Sequence, residues 1–187
     1  SGSSGLTKAG PGTLVLTGQA SYSGATTVDE GLLVFENVSG STYTYNGGNL
    51  FINNGSTLRF TRSGSSDRYD LSGKTFTFGS TGGNTLDTSS GLNFVAWSAN
   101  TFRTTGGARN FITGTSGMNI NAGVIDVFDI ARGSDASDLQ VTAPIWNTGG
   151  IVKTGDGILE MAGANTYSGS TVVNEGTLLY TGTYGST

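Results

Sequence analysis

The most constraining feature of this chain is a long segment that occurs twice without a gap. Residues 8–35 align with residues 153–180 at one constant offset. The residues shared by the two copies include several glycines that frame short apolar runs. Shared positions are Lys8 and Lys153, Gly12 and Gly157, Gly18 and Gly163, Tyr22 and Tyr167, Glu30 and Glu175, and Gly31 and Gly176. Internal repetition of this kind predicts a stacked architecture in which each repeat packs on its neighbour.

Short apolar runs follow glycines or Asn-Gly pairs along the whole chain. Within these runs large apolar and polar residues alternate with a period of two, which predicts strands with one buried face. The 32 glycines and only two prolines indicate many short strands joined by tight turns. The pattern is typical of an all-β protein and leaves little room for long helices.

Glycine spacing distinguishes a solenoid from a sandwich. The interval from Gly12 to Gly31 is the same as the interval from Gly157 to Gly176. A sandwich of hairpins would turn about every 8–12 residues, whereas these intervals are close to the length of one solenoid coil, about 20 residues or more. We therefore predict a β-solenoid of about eight or nine coils, each rising about 4.8 Å. Its inward side chains are expected to include Leu14, Leu16, Leu33, Phe35, Leu159, Met161, Leu178 and Tyr180.

The repeated residues also carry a family resemblance. The pattern Lys-x-Gly-x-Gly-x-Leu, followed by Tyr-Ser-Gly-x-Thr and Glu-Gly-x-Leu, resembles the autotransporter-associated β-strand repeat of bacterial autotransporter passengers. Its two copies cover about a third of the chain. The resemblance implies a right-handed parallel β-helix exported to the bacterial cell surface or the extracellular space. It implies no single activity, because passengers of this fold serve many roles.

We predict one β-solenoid domain over residues 6–187, with Ser1 to Gly5 as a linker or cloning remnant. From about Glu36 to Gly150 the strands continue, but their period is expected to loosen. Two segments rich in turn formers and charge, 63–68 and 132–138, are predicted to be exposed excursions where specific contacts would lie.

Composition excludes several classes of partner. A net charge of −4 without clustered Lys and Arg gives no footprint for nucleic acid. No apolar stretch reaches the length of a membrane span, and the lack of a signal peptide is typical of a mature or excised segment. Cysteine is absent, so stability must come from stacked, hydrogen-bonded coils rather than from disulfides.

The chain contains neither histidine nor cysteine, which removes Ser-His and Cys-His catalysis and the usual zinc sites. Carboxylate pairs remain as candidates for glycoside cleavage: Asp126 with Asp129, Asp135 with Asp138, and Asp67 with Asp70. The first pair is an odd number of residues apart and should occupy opposite faces of a strand, and the second lies in a loop where acids initiate turns. We therefore predict no catalytic residue and no cofactor. We predict no metal site either, since Gly82 to Asp87 lacks the Gly-x-Asp spacing of calcium repeats.

Aromatic residues are the remaining candidates for binding. Trp97, Trp146, Tyr43 and Tyr45 would make a surface that stacks on sugars if they shared one outward face. Tyr22 and Tyr167 occupy the same repeat position, which favours a structural role at a corner of the coil.

The leading hypothesis is a non-enzymatic, extracellular structural or adhesive segment of a bacterial surface protein. One alternative is a filament subunit that stacks head to tail through open helix ends. Another is a carbohydrate-binding or polysaccharide-active β-helix. The expected partners are neighbouring repeats or further copies of the chain, and a surface glycan or a host or matrix ligand.

Overall fold

The computed structural model describes residues 3–38, 42–62, 68–88 and 93–184, with residues 93–96 described by their backbone alone. Over these ranges the chain forms 21 strands and no helix. The all-β fold predicted from the period-two pattern is therefore confirmed. No helix in the described ranges is long and apolar enough to cross a membrane.

The strands form three sheets, each built from strands that recur once per coil. Sheet 1 contains β1 (Leu6–Lys8), β3 (Thr26–Val28), β6 (Leu50–Ile52), β9 (Thr75–Phe78), β12 (Thr101–Thr104), β15 (Ile125–Ile130), β18 (Gly150–Thr154) and β20 (Thr171–Val173). Sheet 2 contains β2 (Thr13–Leu16), β4 (Leu32–Asn37), β7 (Thr57–Arg62), β10 (Thr85–Asp87), β13 (Asn110–Thr113), β16 (Leu139–Val141), β19 (Ile158–Met161) and β21 (Thr177–Tyr180). Sheet 3 contains β5 (Thr42–Thr44), β8 (Arg68–Asp70), β11 (Asn93–Ala96), β14 (Met118–Ile120) and β17 (Ile145–Trp146).

Neighbouring strands in every sheet are parallel, so each turn of the chain lies on the one before it. We call each turn a coil; coil 1 contains β1 and β2, and coil 8 contains β20 and β21. Eight strands in sheet 1 and eight in sheet 2 give eight coils. The predicted parallel β-helix of about eight or nine coils is confirmed.

The predicted loosening of the period in the middle of the chain holds for sheet 2 but not for sheet 1. In sheet 2 the interval between paired residues varies from coil to coil, as the pairs Leu58 with Leu86 and Leu86 with Ile112 illustrate. We call the number of residues along the chain between two paired residues the step. In sheet 1 the step is short at both ends of the helix, where Lys8 pairs with Val28 and Lys153 pairs with Val173. Between coils 2 and 7 the step is longer and nearly constant, as the pairs Ile52 with Phe78 and Phe102 with Phe128 illustrate. The longer step accommodates the strand of sheet 3, which in the described residues is present only in coils 2 to 6.

The core is a set of columns along the helix axis. In sheet 1, Phe76, Phe102 and Phe128 are fully buried, and their rings stack with centroids 5.1 and 5.0 Å apart. All the residues predicted to point inward contribute to the core. Leu33, Phe35, Leu159 and Met161 are fully buried, and Leu14, Leu16, Leu178 and Tyr180 pack against the core from the end coils.

The two repeat copies are not in the same register along the axis. Lys8 belongs to the column that runs through Val28, Ile52, Phe78, Thr104 and Ile130. Its repeat equivalent, Lys153, instead pairs with Phe128, two residues before Ile130. Sheet 2 has the same displacement, because the column of Leu14 reaches Met161 rather than Leu159. Strand side chains alternate between faces, so a displacement of two residues keeps both lysines pointing inward.

The two predicted excursions have different outcomes. Residues 63–67 of the first lie outside the described residues. The second, residues 132–138, is held against the neighbouring coils: the Ser134 N–H donates to the Gly107 carbonyl at 3.0 Å, and Asp138 Oδ2 accepts the Ile158 N–H at 2.6 Å. Within the segment, Asp138 Oδ1 accepts hydrogen bonds from Arg132 Nη1 and from the Gly133 N–H, both at 2.7 Å.

Candidate functional site

Each repeat copy has a buried lysine at the corner between sheets 1 and 2. The Lys153 side chain is fully buried, and its Nζ donates to the carbonyls of Thr154 at 2.6 Å, Gly155 at 2.7 Å and Glu175 at 3.2 Å. The first two carbonyls belong to its own coil and the third to the next coil. The ammonium group therefore connects consecutive coils by satisfying corner carbonyls that strand pairing leaves free.

Lys8 makes the equivalent contacts with Ala9, Gly10 and Glu30. Sequence reasoning treated the repeated lysine only as part of the family pattern. The structural role of this lysine could have been suspected from its repetition: the chain has only 9 Lys and Arg in 187 residues, yet a lysine occupies this position in both copies. Burial lowers the pKa of Lys153, as expected for a cation removed from water, while the more distant Glu175 and Asp129 carboxylates oppose the shift.

The repeated tyrosines make the same contact in both copies. The hydroxyl of Tyr167 lies 2.7 Å from Thr171 Oγ1, and that of Tyr22 lies 2.6 Å from Thr26 Oγ1. Both contacts cross the corner that leads into a strand of sheet 1. This arrangement agrees with the structural role predicted for the two residues.

Asp126 is the most perturbed carboxylate in the described residues. It lies inside the helix on β15, only 1% exposed, next to Ile151 in register, and its Oδ1 accepts the Asn100 N–H at 2.8 Å. Burial raises the pKa of Asp126 to about 7, although the Asn100 hydrogen bond acts in the opposite direction. This carboxyl therefore retains a proton well above the pH at which an exposed aspartate loses it.

Asp126 and Asp129 lie on opposite faces of β15, as their odd spacing predicted. Asp129 points outward and accepts a hydrogen bond from Arg103 Nε at 2.8 Å on the preceding coil. A wall of the helix therefore separates the two carboxylates, and they cannot act together on one glycosidic bond.

The other predicted pairs are also occupied by structural contacts where they are described. Asp138 is 3% exposed, and in addition to its bonds within the 132–138 segment its Oδ2 accepts the Ile158 N–H of the next coil at 2.6 Å. Asp135 accepts the Arg109 N–H at 2.6 Å. Asp70 bonds to the Ser72 hydroxyl and N–H, and its predicted partner Asp67 lies outside the described residues.

No group of three or more Asp, Glu, His or Cys in the described part of the chain is arranged to hold a metal ion. Asp87, at the end of the glycine-rich segment considered for calcium, forms an ion pair with Arg59 at 2.7 Å. Glu160 is likewise engaged: burial would raise its pKa, but hydrogen bonds from Ser137, Gln140 and Thr181 keep that pKa below its usual value.

The four aromatic residues predicted to contact a glycan do not share one face. Tyr43 and Tyr45 are buried, at 4% and 2% exposure, and the Tyr43 hydroxyl accepts the Ala20 N–H at 2.7 Å. Trp146 is half-buried at the other end of sheet 3, with its Nε1 donating to the Ser116 carbonyl at 3.4 Å. Trp97, just after β11, is 64% exposed.

Comparison with known proteins agrees with this architecture. The model of the passenger-associated transport repeat matches residues 6–35 and 151–179, the segments that form the end coils. The chain is also similar to a protein of Brucella suis biovar 1 (strain 1330) named "Adhesin BmaC autotransporter", with 28% identity over 241 aligned positions. That alignment covers 92% of this chain but only 7% of the relative. No solved structure matches the chain.

These matches confirm the resemblance predicted from the sequence. The chain carries two autotransporter passenger repeats, one at each end of a parallel β-helix, and its location is extracellular or at the cell surface.

Proposed function

We propose that this chain is a non-enzymatic structural and adhesive segment of a bacterial surface protein. The observation that carries the proposal is the uninterrupted stack of eight coils with continuous columns of buried side chains. Eight coils at about 4.8 Å each give a rod of roughly 40 Å whose loops and outward faces are displayed at fixed positions. The similarity to a protein named as an adhesin supports a role in surface attachment.

The state of the acidic residues supports a non-enzymatic role. Glycoside cleavage needs two carboxyl groups on the same side of a cleft, one of them free to give a proton to the substrate. Asp126 points into the core, whereas Asp129 is paired with Arg103 on the outer surface. Asp138 is buried and bonded to groups of two coils.

The adhesive part of the proposal centres on Trp97. Its 64% exposure presents a large aromatic ring to solvent, and the backbone N–H of Trp97 donates to the Ser72 hydroxyl of the preceding coil at 2.7 Å. An exposed aromatic ring suits stacking on a sugar or contact with an apolar side chain of a matrix protein. Tyr43 and Tyr45 are too buried to share this role and serve the core instead.

The test is attachment of beads coated with the chain to glycan arrays and to immobilised matrix proteins. We expect Trp97→Ala to reduce attachment while leaving the urea unfolding midpoint unchanged, because the side chain is mostly in water. Ile125→Ala is the matched control, since Ile125 is 43% exposed on a different sheet. Equal attachment by wild type and Trp97→Ala would remove this residue from the proposal.

A second assay tests the non-enzymatic part of the proposal. We expect no release of reducing sugar from a panel of polysaccharides. Hydrolysis that disappears in Asp126→Asn or Asp129→Asn would replace the proposal with a polysaccharide-active β-helix.

A further inference from the structure

Both tryptophans of the chain lie on the outer side of sheet 3. Met118 pairs with Ile145, and both side chains are buried in the core. Strand side chains alternate between faces, so the next pair, Asn119 and Trp146, belongs to the outer face. Trp97 directly follows β11, the middle strand of the same sheet, and is 64% exposed. Sheet 3 therefore carries two indole rings on its outer side.

Three asparagine side chains on this side of the sheet bond to one another; we call Asn119, Asn121 and Asn147 the amide cluster. Asn147 Nδ2 donates to Asn119 Oδ1 at 2.6 Å and to Asn121 Oδ1 at 3.1 Å. Asn119 pairs with Trp146, whereas Trp97 and Asn121 are the residues that follow the last pair of β11 with β14. The coil that carries Asn119 and Asn121 thus lies between the coils that carry the two rings.

The amide cluster retains hydrogen-bonding groups that no residue in the described part of the chain uses. Asn119 is 8% exposed, and its Oδ1 accepts the bond from Asn147, but its Nδ2 has no hydrogen-bond partner among the described residues. The Oδ1 of Asn147 also has no partner within the described ranges. Buried polar groups are normally paired, and leaving a donor unpaired is costly. The cluster therefore offers one donor group and one acceptor, which are the two roles that hydroxyl groups can satisfy.

The backbone at Asn147 supports a role for its side chain. Its φ is 88°, and Asn54 is the one other non-glycine residue of the described ranges with a positive φ. Glycine adopts this conformation without steric cost, whereas any side chain adds strain. The backbone alone would favour glycine at this position, so the amide that bonds to Asn119 and Asn121 accounts for asparagine. Strained residues of this kind cluster at functional sites.

The segments that build this part of sheet 3 contain no charged residue. They are residues 89–100, 114–123 and 142–149, which include β11, β14 and β17. They offer no group that could pair with a carboxylate, a sulfate or an ammonium group of a ligand. Amides bond to hydroxyl groups, and indole rings provide flat apolar faces. The surface therefore suits an uncharged ligand that is rich in hydroxyl groups.

We propose that the amide cluster, together with Trp97 and Trp146, binds an uncharged glycan chain. This inference rests on the proposed adhesive function and names the class of its ligand. Trp97 stacks on one sugar ring, while Asn119 Nδ2 and Asn147 Oδ1 bond to hydroxyl groups of the glycan. The strands before Trp97 and at Trp146 are two coils apart, which is roughly 10 Å and the length of about two sugar rings.

The proposal is tested by titrating the chain with uncharged hexasaccharides of glucose, mannose and N-acetylglucosamine and following tryptophan fluorescence. Both tryptophans belong to the proposed site, so we expect a saturable change with at least one of these sugars. Asn147→Gly removes the amide and suits the positive φ, and it should weaken binding about tenfold. Asn54→Gly is the matched control, because it makes the same exchange at the other positive φ, between β6 and β7, and should bind like wild type. Urea midpoints of both variants establish that they fold.

Three results would overturn the proposal. The first is equal affinity of wild type and Asn147→Gly for the sugar, and the second is tighter binding of oligogalacturonate or a heparin hexasaccharide than of every uncharged sugar. The third is attachment to immobilised collagen that is lost in Trp97→Ala while none of the uncharged sugars binds. That third result would leave the adhesive function in place, whereas equal attachment of wild type and Trp97→Ala to every glycan and matrix protein would count against the adhesive role of Trp97 itself.

Discussion

Replacing Asp126 with asparagine should remove most of the pH dependence of stability near neutrality. The native carboxyl has its pKa raised to about 7 by burial, whereas an aspartate in the unfolded chain has its ordinary pKa of 3.8. The folded state therefore holds a proton that the unfolded state has lost. The stability linked to this proton is fully present below about pH 3.8, and it is lost progressively as the pH rises from there through about 7.

The magnitude follows from these two values. Integrated from pH 5 to pH 8, the linkage predicts a loss of about 2.5 kcal/mol in the free energy of unfolding of the wild type. Histidine and cysteine, whose ordinary pKa values lie in or near the range from pH 5 to pH 8, are both absent from the chain, so neither adds to the change in stability over this range. Asparagine keeps an oxygen for the Asn100 N–H and carries no charge at any pH, so the variant should be more stable than wild type at pH 8.

Urea denaturation followed by far-UV circular dichroism at pH 5 and pH 8 measures the effect. The control is Asp129→Asn, which removes an acid from the same strand on its outer face and should retain the wild-type change with pH. A variant at position 126 that loses as much stability as wild type between pH 5 and pH 8 would refute the assignment of the bound proton to Asp126.

Three further substitutions test the packing of the helix, each read from the urea midpoint. Lys153→Met leaves three corner carbonyls without their donor and should cost about 1–3 kcal/mol; an unchanged midpoint would show that the ammonium does not connect the coils. Phe102→Ala opens a cavity in the middle of the aromatic column and should cost about 3–5 kcal/mol, whereas a loss below about 1 kcal/mol would mean that the column does not form. Gly31→Val places a side chain where an added β-carbon already overlaps the Gly12 carbonyl oxygen, at a positive φ, and should prevent folding of the first corner; a soluble variant with wild-type stability would contradict this.

Much of the fold could be predicted from the sequence because the determinants were local and repeated. Period-two alternation placed Leu33 and Phe35 inside, and the odd spacing of Asp126 and Asp129 placed them on opposite faces. Alternation could also have shown that Tyr43 and Tyr45 share one face. Only the three-dimensional packing shows that this face is the inner one.

The features that were missed depend on contacts between coils. The role of Lys153 requires the carbonyl of Glu175, on the next coil, to converge with two carbonyls of its own corner. The nearly constant intervals of sheet 1 in the middle coils were missed because the strands of sheet 3 that lie between them are very short, and Ile145–Trp146 is the shortest of these. Short strands with varied side chains give a weak periodic signal even where their spacing in the coil is nearly constant.

The displacement between the two repeats shows what kind of sequence change this helix can absorb during its evolution. Between the first lysine and the second, the chain has advanced by one full inward position without reversing which side chains face the axis. Gain or loss of an even number of residues at a corner is thus compatible with an intact interior. An odd change within a strand would turn the rings of that coil out into solvent and bring its threonines and charges inside. Insertions and deletions among relatives of this chain should consequently be even where they fall within strands and unrestricted where they fall in the loops.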